Sequence, residues 1–449
     1  MSKKYYLCDI VDAEKCTGCT NCVKHCPTEA IRVRKGTAKT IEERCINCGT
    51  CIRICPYHAK MAITDPLDLQ RLREFRYTVA LCSSVVYSQF RRVLPPGQVL
   101  NAIKSLGFDD VFQESVGADA LTIAVNELLK SKKLEKPVIS NSCPSIIKLI
   151  QILFPSLIAN VSPLLPPMEI AAKMVRDKVS RSKNIPADQI GIFLITPCTA
   201  KTTAIKHPVG MDKSSIDGAI SLIHLYGNLN SIIGAVPVDQ NLSKSSGAAV
   251  GWARSGGETM AVGAPSYLVA DGLNNVINLF EEADMDHFPD VDYIECQACH
   301  GGCIGGPLTI ENPFVARIIT RNLAKTLPQI STEDIQNYKK LYHEGYFHFD
   351  KDIEVQPVMP LDKDIAKAIK LVGEADEILK QLPGLDCSSC GCPSCRALAE
   401  DISKGTATLT DCIFILLKTI RNSAQETMNL IQKDHRIAAK ERRKNNETC

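Results

Sequence analysis

Residues 16–27 read CTGCTNCVKHCP, and residues 45–56 read CINCGTCIRICP. Each stretch follows the pattern C-x2-C-x2-C-x3-C-P, which is typical of small domains that hold two [4Fe-4S] clusters. In that pattern the fourth cysteine of each run binds the cluster of the other run. One cluster is therefore assigned to Cys16, Cys19, Cys22 and Cys55, and the other to Cys45, Cys48, Cys51 and Cys26. A pair of zinc sites is the alternative, and two matched runs that each end in proline disfavour it.

The chain as a whole is rich in cysteine, with 21 among 449 residues. Its N-terminus lacks the apolar run of a signal peptide, and no stretch approaches the ~18 apolar residues of a membrane span, so we expect a cytoplasmic protein. Because that compartment is reducing, the thiols are expected to bind metal rather than to form disulfides. The net charge of +2, from 52 basic and 50 acidic residues, argues against nucleic acid or an anionic membrane as a partner.

Downstream of these two runs, strand-like and helix-like segments alternate. Strand patterns cover 77–87, 136–142 and 189–196, and helical patterns cover 98–107, 118–131 and 166–179. This alternation predicts an α/β fold with a largely parallel sheet, in which ligands gather beyond the carboxyl ends of the strands. Cys82, Cys143 and Cys198 lie in, at or just past such strand patterns. An isolated cysteine there is more often a small buried apolar residue, so each position alone is weak support for a site.

Three segments of this middle region resemble, in order, the signature motifs of the [FeFe] hydrogenases. They are NSCPS at 141–145, TPCTAK at 196–201 and ECQACHGGCIGG at 295–306. The resemblance spans roughly residues 1–350, including the two-cluster head. It implies an H-cluster, in which a [4Fe-4S] cube is joined to a two-iron unit that carries carbon monoxide, cyanide and a bridging dithiolate. It also implies the reversible formation of H2 from two protons and two electrons.

The resemblance assigns roles to individual residues of this site. The cube would be held by Cys143, Cys198, Cys299 and Cys303. Cys303 would also bridge to the two-iron unit, a role that requires a thiolate because one sulfur must bind two irons. Lys201 would pair with an iron-bound cyanide, since a buried ammonium needs an anionic partner. Ser84 would lie near the second cyanide.

The proton path of the most active family members is interrupted in this chain. Ser142 stands in place of a relay cysteine, and its hydroxyl is a far weaker acid than a thiol. One relay carboxylate is replaced by Ala124, whereas Glu127 and Ser162 match the next relay groups. Gln297 replaces a methionine that packs beside the two-iron unit.

The interruption leaves two outcomes open. Protons would take another route, through water, Ser142, Gln297 or the additional thiols Cys82 and Cys296. Alternatively, turnover would be slow, which suits a hydrogen sensor.

Residues 382–412 read LPGLDCSSCGCPSCRALAEDISKGTATLTDC and resemble a small [4Fe-4S] domain of electron-transport and corrinoid-linked proteins. The ligands would be Cys387, Cys390, Cys395 and Cys412, with Cys392 as a spare thiol able to substitute for one of them. A zinc site is the alternative. After Cys412, apolar residues recur at helical spacing to about Ile437, which predicts a docking helix with a basic end.

We therefore expect a two-cluster head at 1–70, an H-cluster domain at 71–350 and a C-terminal cluster module at 351–449. The implied enzyme is an [FeFe] hydrogenase whose three further [4Fe-4S] clusters exchange electrons with ferredoxin or iron–sulfur subunits, for example in a formate dehydrogenase-linked CO2 reductase. The alternatives are a slow hydrogen sensor and a non-catalytic hydrogenase-like scaffold, and the retained Lys201 and Cys303 disfavour the scaffold. Five cysteines have no assigned cluster: Cys8, Cys82, Cys296, Cys392 and Cys449.

Overall fold

The computed structural model describes residues 9–131, 134–356 and 364–446. Two compact units are defined by their internal contacts. The first comprises Met1–Lys15 and Ile41–Val358, and the second comprises Cys16–Thr40 and Met359–Cys449. The three-domain division expected from the sequence stays a proposal. Cys8 and Cys449, two of the thiols without an assigned cluster, lie outside the described residues.

Two parallel sheets form the frame of the first unit. The described strands are β1 (Asp9–Val11), β2 (Ile31–Arg34), β3 (Thr37–Thr40), β4 (Lys60–Ala62), β5 (Tyr77–Cys82), β6 (Asp110–Gln113), β7 (Val138–Ile139), β8 (Ile190–Thr196), β9 (Gly218–Ser221), β10 (Tyr267–Asp271) and β11 (Tyr293–Gln297). One parallel sheet has the order β6-β5-β8-β9, and the other has the order β10-β11-β7. The sequence predicted a single sheet, but β7 pairs in parallel with β11 and not with β5 or β8.

Helices cover both faces of the larger sheet. The described helices are α1 (Asn21–Lys24), α2 (Thr50–Arg53), α3 (Leu69–Leu72), α4 (Pro96–Lys104), α5 (Glu114–Ser131), α6 (Pro144–Leu153), α7 (Pro167–Lys183), α8 (Thr199–Lys206), α9 (Leu222–Ile232), α10 (Gly247–Val250), α11 (Gly257–Val262), α12 (Leu273–Asp284), α13 (Pro313–Thr326), α14 (Thr332–His343), α15 (Ile365–Leu379), α16 (Cys395–Ser403) and α17 (Ile413–Asn446). Among the described residues, none of these helices is both long and apolar enough to cross a membrane.

The central strand β8 explains why this sheet needs two covering layers. All seven of its residues, IGIFLIT, are buried, as expected for a parallel strand that is covered on both faces. On one face, Ile192 and Leu194 pack with residues of α7. On the other face, Phe193 and Ile195 pack with residues of α4 and α9. The α/β fold predicted from the sequence is therefore confirmed.

The second unit has its own small core. The antiparallel hairpin β2–β3 belongs to it, together with α15, α16 and α17. Ala375 of α15 and Leu398 of α16 are both buried in an apolar cluster that includes Cys392 and Cys412. Beyond Cys412, the apolar side chains of α17, such as Leu417 and Ile420, are exposed.

Candidate functional site

The predicted cube ligands of the first unit lie just beyond the carboxyl ends of parallel strands. Cys143 follows β7 and is the N-cap residue of α6, and Cys198 follows β8 and is the N-cap residue of α8. Cys299 and Cys303 follow β11. A helix N-terminus carries a partial positive charge that favours an anionic ligand or thiolate. The fold thus brings three of the sequence motifs to one region.

A cavity of about 500 Å³ opens at this region. Six residues singled out by the sequence line it: Ser84, Ser142, Cys143, Lys201, Gln297 and Cys303. Apolar atoms of Ala118, Pro167, Ala249 and Ala253 form much of the remaining wall. The cavity therefore combines cysteine sulfurs, one ammonium and a partly apolar wall, as a cofactor pocket requires.

The four thiols of this region are only partly exposed, and for three of them the loss of hydration dominates the acidity. Burial raises the pKa of Cys198 to about 11, with a further contribution from the sulfur of Cys143. Burial raises the pKa of Cys303 to about 12, although the nearby Lys201 ammonium opposes the shift. The pKa of Cys299 is also raised by burial and then by the sulfurs of Cys198, Cys143 and Cys303. The pKa values of Cys198, Cys299 and Cys303 are thus each raised in part by other cysteines of the same set.

Two buried polar atoms test whether a cofactor fits here. The side-chain oxygen Oε1 of Gln297 and the indole Nε1 of Trp252 have no hydrogen-bond partner among the described residues, and both side chains line the cavity. Gly302 lies between Cys299 and Cys303 with a φ of 97°, and a Cβ there would meet Gln297 Oε1 and the backbone nitrogen of Ser255 at 2.5 Å. An unpaired donor and an unpaired acceptor in the cavity wall fit a cofactor that carries polar ligands, and Gly302 allows the protein backbone to pack closely behind them.

The donor set of the predicted cube consists of four cysteine thiolates, which are the ligands of iron–sulfur clusters. Across the described ranges, no three histidine, cysteine or acidic side chains converge on one metal-ion position. In an iron–sulfur cluster each cysteine thiolate binds its own iron, so the sulfurs surround the cluster instead of meeting at a point.

Lys201 has an ionic partner that the sequence did not indicate. Its Nζ donates to Oε1 of Glu114, and both side chains are almost fully buried. Burial alone lowers the pKa of Lys201, but the Glu114 carboxylate and the Cys303 sulfur reverse this effect and raise it above its ordinary value. Glu114 is the first residue of α5 and also lines the cavity.

A second carboxylate, Glu258, reaches the cavity next to Ser142. Ser140 Oγ donates to Glu258 Oε1 at 2.6 Å and lies 3.2 Å from Ser142 Oγ, and the Tyr293 hydroxyl donates to the same carboxylate oxygen. The pKa of Glu258 is raised by burial and then by the Glu295 carboxylate. A buried carboxyl group with a raised pKa can both accept and release a proton near neutral pH.

The Glu295 carboxylate continues this polar group away from Ser142. It accepts hydrogen bonds from the backbone nitrogens of Gly256 and Thr259, and Gln297 Nε2 donates to it at 3.2 Å. Glu295 belongs to the motif that the sequence singled out, but Glu258 stands in the separate segment SGGETM. In the sequence, Glu258 is marked out only as an acidic residue that follows two glycines at the start of a helix.

Two predicted relay residues are placed elsewhere. Glu127 pairs with Lys130 and Lys339 and does not line the cavity. Ser162 is buried, and Asn141 Nδ2 donates to its carbonyl oxygen at 3.2 Å, but its hydroxyl has no hydrogen-bond partner among the described residues. Their assigned roles in proton transfer stay predictions.

The additional thiols Cys82 and Cys296 are fully buried near the strand ends. Cys82 ends β5, and burial raises its pKa far above the ordinary value. Burial also raises the pKa of Cys296. Neither residue lines the cavity, and both pack in apolar clusters.

The second cysteine run packs directly beside the predicted cube. Thr199 Oγ1, next to Cys198, donates to the carbonyl oxygen of Asn47 at 2.6 Å, and Arg53 Nη1 donates to the carbonyl oxygen of Gly305 at 2.5 Å. A Cβ on Gly49 would lie 2.5 Å from Pro307. This close approach suits electron transfer between the cluster predicted at this run and the cube.

The C-terminal module holds a second cavity, of about 300 Å³. It is lined by the four predicted ligands Cys387, Cys390, Cys395 and Cys412, and by the spare Cys392. Arg34 Nη2 donates to Cys392 Sγ at 3.1 Å, and Cys392 Sγ lies 3.5 Å from Asp401 Oδ2. Cys392 thus has polar partners as well as a place in the cavity wall, and its substitution for a ligand stays a prediction.

Comparison with known families gives three matches along the chain. Residues 76–266 and 263–307 match the family described as iron-only hydrogenase large subunit, C-terminal domain. Residues 8–56 match a 4Fe-4S dicluster domain, and residues 382–414 match a putative Fe-S cluster domain. Together these matches cover all three regions that the cysteine motifs defined.

Individual relatives are distant. Iron hydrogenase 1 of Clostridium pasteurianum is 23% identical over 260 residues, which are 47% of this chain and 45% of that protein. The NADP-reducing hydrogenase subunit HndD of Solidesulfovibrio fructosivorans is 23% identical over 345 residues, or 65% of this chain and 55% of that protein. The chain therefore spans about half the length of the curated relatives it matches.

A solved structure shares the fold of the central region. An [FeFe]-hydrogenase variant from Chlamydomonas reinhardtii superimposes with a TM-score of 0.51 at 17% identity, covering 66% of this chain and all of that chain. At this identity the superposition shows a common fold. The chemistry of the site is argued from the residues that line it.

Proposed function

The chain belongs to the iron-only hydrogenase family, and from this membership we propose that it catalyses the reversible conversion of H2 into two protons and two electrons. One observation carries the proposal: Cys143, Cys303 and Lys201 line a single cavity. When bound, an H-cluster supplies the iron site and the dithiolate amine between which H2 is split. The protein supplies cluster binding, charge balance and exclusion of water.

Residues that line the cavity, together with Cys198 and Cys299 outside its lining, divide this work. Cys143, Cys198, Cys299 and Cys303 would hold the cube, and Cys303 would bridge to the two-iron unit. Lys201 offers an ammonium to a cyanide ligand, and Ser84 offers a hydroxyl to the second cyanide. The carboxyl group of Glu258 can hold a proton, and its Oε1 accepts a hydrogen bond from Ser140, whose hydroxyl lies beside that of Ser142. This arrangement supports a proton route that needs no relay cysteine.

Electrons would travel through three further [4Fe-4S] clusters. The two cysteine runs and the C-terminal module supply their predicted ligands, and their family matches support iron–sulfur binding. Ferredoxin or iron–sulfur subunits in the cytoplasm are the proposed partners, and a formate dehydrogenase-linked CO2 reductase is one concrete setting. The likeness to an NADP-reducing hydrogenase subunit supports an assembly with other redox subunits.

A hydrogen sensor with slow turnover is the second candidate. Ser142 favours it, because a hydroxyl in the relay position passes protons poorly compared with a thiol. The neighbouring Glu258 favours the catalytic enzyme, because it offers a carboxyl group with a raised pKa at the same point. Turnover measured with a fast artificial electron donor, followed by identification of co-purifying chains, separates the two.

Infrared spectroscopy tests the hydrogenase proposal directly. The full chain is matured under anaerobic conditions with an H-cluster, and the bands of iron-bound carbon monoxide and cyanide are recorded with and without H2. We expect these bands to be present, to shift under H2 and to disappear in Cys303→Ala. A fully matured protein that holds its other clusters but lacks the bands would support the non-catalytic scaffold instead.

A further inference from the structure

The hairpin β2–β3 contacts both the first cysteine run and the C-terminal cluster module. All of these residues belong to the second compact unit. On the β3 side, the backbone nitrogen of Ala38 donates to Cys16 Sγ at 3.5 Å. On the β2 side, the backbone nitrogen of Val33 donates to the carbonyl oxygen of Gly391 at 2.8 Å. Gly391 stands between Cys390 and Cys392 in the sequence.

The two contacts lie directly opposite each other across the hairpin. Val33 and Ala38 are paired in the antiparallel register. In a pair whose N–H groups both point outward, the two backbones are not bonded to each other and lie about 4.5 Å apart. The hairpin therefore links the Cys16 sulfur on the β3 edge to the Gly391 loop on the β2 edge. The path consists of the two hydrogen bonds of Ala38 and Val33 and the distance between the two strands.

Charged side chains hold the second of these contacts in place. Arg34 donates to the carbonyl oxygen of Cys390 at 3.3 Å and to Asp401 Oδ2 at 2.6 Å. Arg32 donates to the same Asp401 oxygen at 2.9 Å. The side chains of Arg32 and Asp401 are only 7% and 14% exposed, so this ion pair is largely shielded from solvent.

The loop that contains Gly391 packs so closely against the hairpin that even a methyl side chain at this position would not fit. Gly391 has a φ of 81°, and a Cβ there would lie 2.2 Å from the carbonyl oxygen of Val33. Gly405, in the same unit, has a φ of 72° but nothing within 4 Å of its Cβ position. Both glycines have a positive φ that alanine rarely adopts, but only Gly391 packs against another part of the chain.

We propose that the β2–β3 hairpin is the electron bridge between two predicted clusters. The predicted ligands of the first are Cys16, Cys19, Cys22 and Cys55, and those of the second are Cys387, Cys390, Cys395 and Cys412. Each crossing moves one electron, so that one cluster is oxidised and the other reduced, with no proton or group transferred. The C-terminal cluster is thereby a direct extension of the relay in the head. The inference rests on the cluster set of the proposed function, but not on hydrogen turnover.

Electron paramagnetic resonance of the full chain with all clusters loaded tests this bridge. The clusters are reduced with dithionite, so the reading does not depend on the H-cluster. We expect a magnetic coupling that involves the C-terminal cluster, in addition to the coupling between the two clusters of the head, and loss of this additional coupling in Cys412→Ala. A parent protein with full iron content and no coupling to the C-terminal cluster would overturn the proposal.

Comparing alanine variants of the two glycines shows whether a loss of coupling comes from the disturbed hairpin contact or only from the strain of placing alanine at a positive φ. Gly391→Ala should weaken the coupling and slow electron transfer to the C-terminal cluster after flash photoreduction by at least tenfold. Gly405→Ala should leave both readings unchanged. If Gly391→Ala fails to retain its cluster, Arg34→Met removes the hydrogen bonds of Arg34 to the Cys390 carbonyl oxygen and to Asp401 without changing a residue of the ligand loop, and should give the same slowing. Unchanged coupling and rate in the cluster-loaded variant would show that the hairpin is only a structural support.

Discussion

Ser140 donates a hydrogen bond of 2.6 Å to Glu258, and its hydroxyl lies 3.2 Å from that of Ser142. Ser142 is the residue at which the expected proton relay is interrupted, and Glu258 comes from a distant part of the sequence. The short distances place a titratable group beside the interruption, inside the same cavity.

Glu258→Gln should lower hydrogen evolution by about 100-fold or more, because an amide cannot exchange a proton and general acid–base groups contribute ~10²–10⁴-fold. The infrared bands of the H-cluster should be unchanged. Glu127→Gln is the matched control, since Glu127 pairs with lysines and does not line the cavity. Activity measured with a viologen donor should separate the two variants, and equal losses would point to the relay predicted from the sequence.

Ser142→Cys should raise hydrogen-evolution turnover several-fold. A thiol titrates near pH 8.5, whereas a hydroxyl stays protonated, so the thiol passes protons more readily. The measurement is turnover at matched H-cluster content. Unchanged or lower turnover with an intact infrared spectrum would mean that proton delivery through this position does not limit the rate.

Glu114→Gln should destabilise the protein more before the two-iron unit is inserted than after it. Removing one partner of a buried ion pair costs roughly 3–5 kcal/mol because the other charge is left uncompensated. In matured protein, a cyanide ligand would give Lys201 a second anionic partner. Thermal unfolding under argon, with and without the two-iron unit, should show the difference. Equal destabilisation in both forms would contradict a cyanide partner for Lys201.

Asp119 should make stability depend on pH. Burial raises its pKa from 3.8 to about 6, while it accepts hydrogen bonds from Ser246. The folded protein therefore holds this proton more tightly than the unfolded chain, and the stabilisation is lost as pH rises through about 6. Between pH 5 and pH 8 the loss should be about 1.4 kcal/mol.

Asp119→Asn removes this titration. The free energy of unfolding of the variant should therefore fall less between pH 5 and pH 8 than that of the parent protein, measured by denaturant unfolding under argon. Comparing the two proteins at each pH cancels the contributions of all other groups. Parallel pH profiles would exclude Asp119 as the source.

The sequence predicted the strands and the cysteines that follow them because apolar runs and cysteine spacing are local signals. Cys143 and Cys198 were placed at strand ends for this reason, and the structure has them at helix N-caps just beyond β7 and β8. The partner of Lys201 was not predictable, because Glu114 is brought to it only by the packing of α5.

Helix geometry explains why Glu127 does not reach the cavity. Ala118 of α5 lines the cavity, and Glu127 follows nine residues later on the same helix. Nine residues correspond to about two and a half turns, which places the two side chains on opposite faces. The spacing of a motif along the chain therefore did not reveal which carboxylate shares the cavity with Ser142, and the structure favours Glu258.

The ion pair of Lys201 and Glu114 bears on the order in which this protein is assembled. An enclosed ammonium without a counter-charge would oppose folding, but here the chain carries its own counter-charge. The polypeptide can therefore complete its folding first and wait as an inactive precursor. Insertion of a two-iron unit would then add a second anion beside a cation that is already balanced, and it would not require the chain to refold.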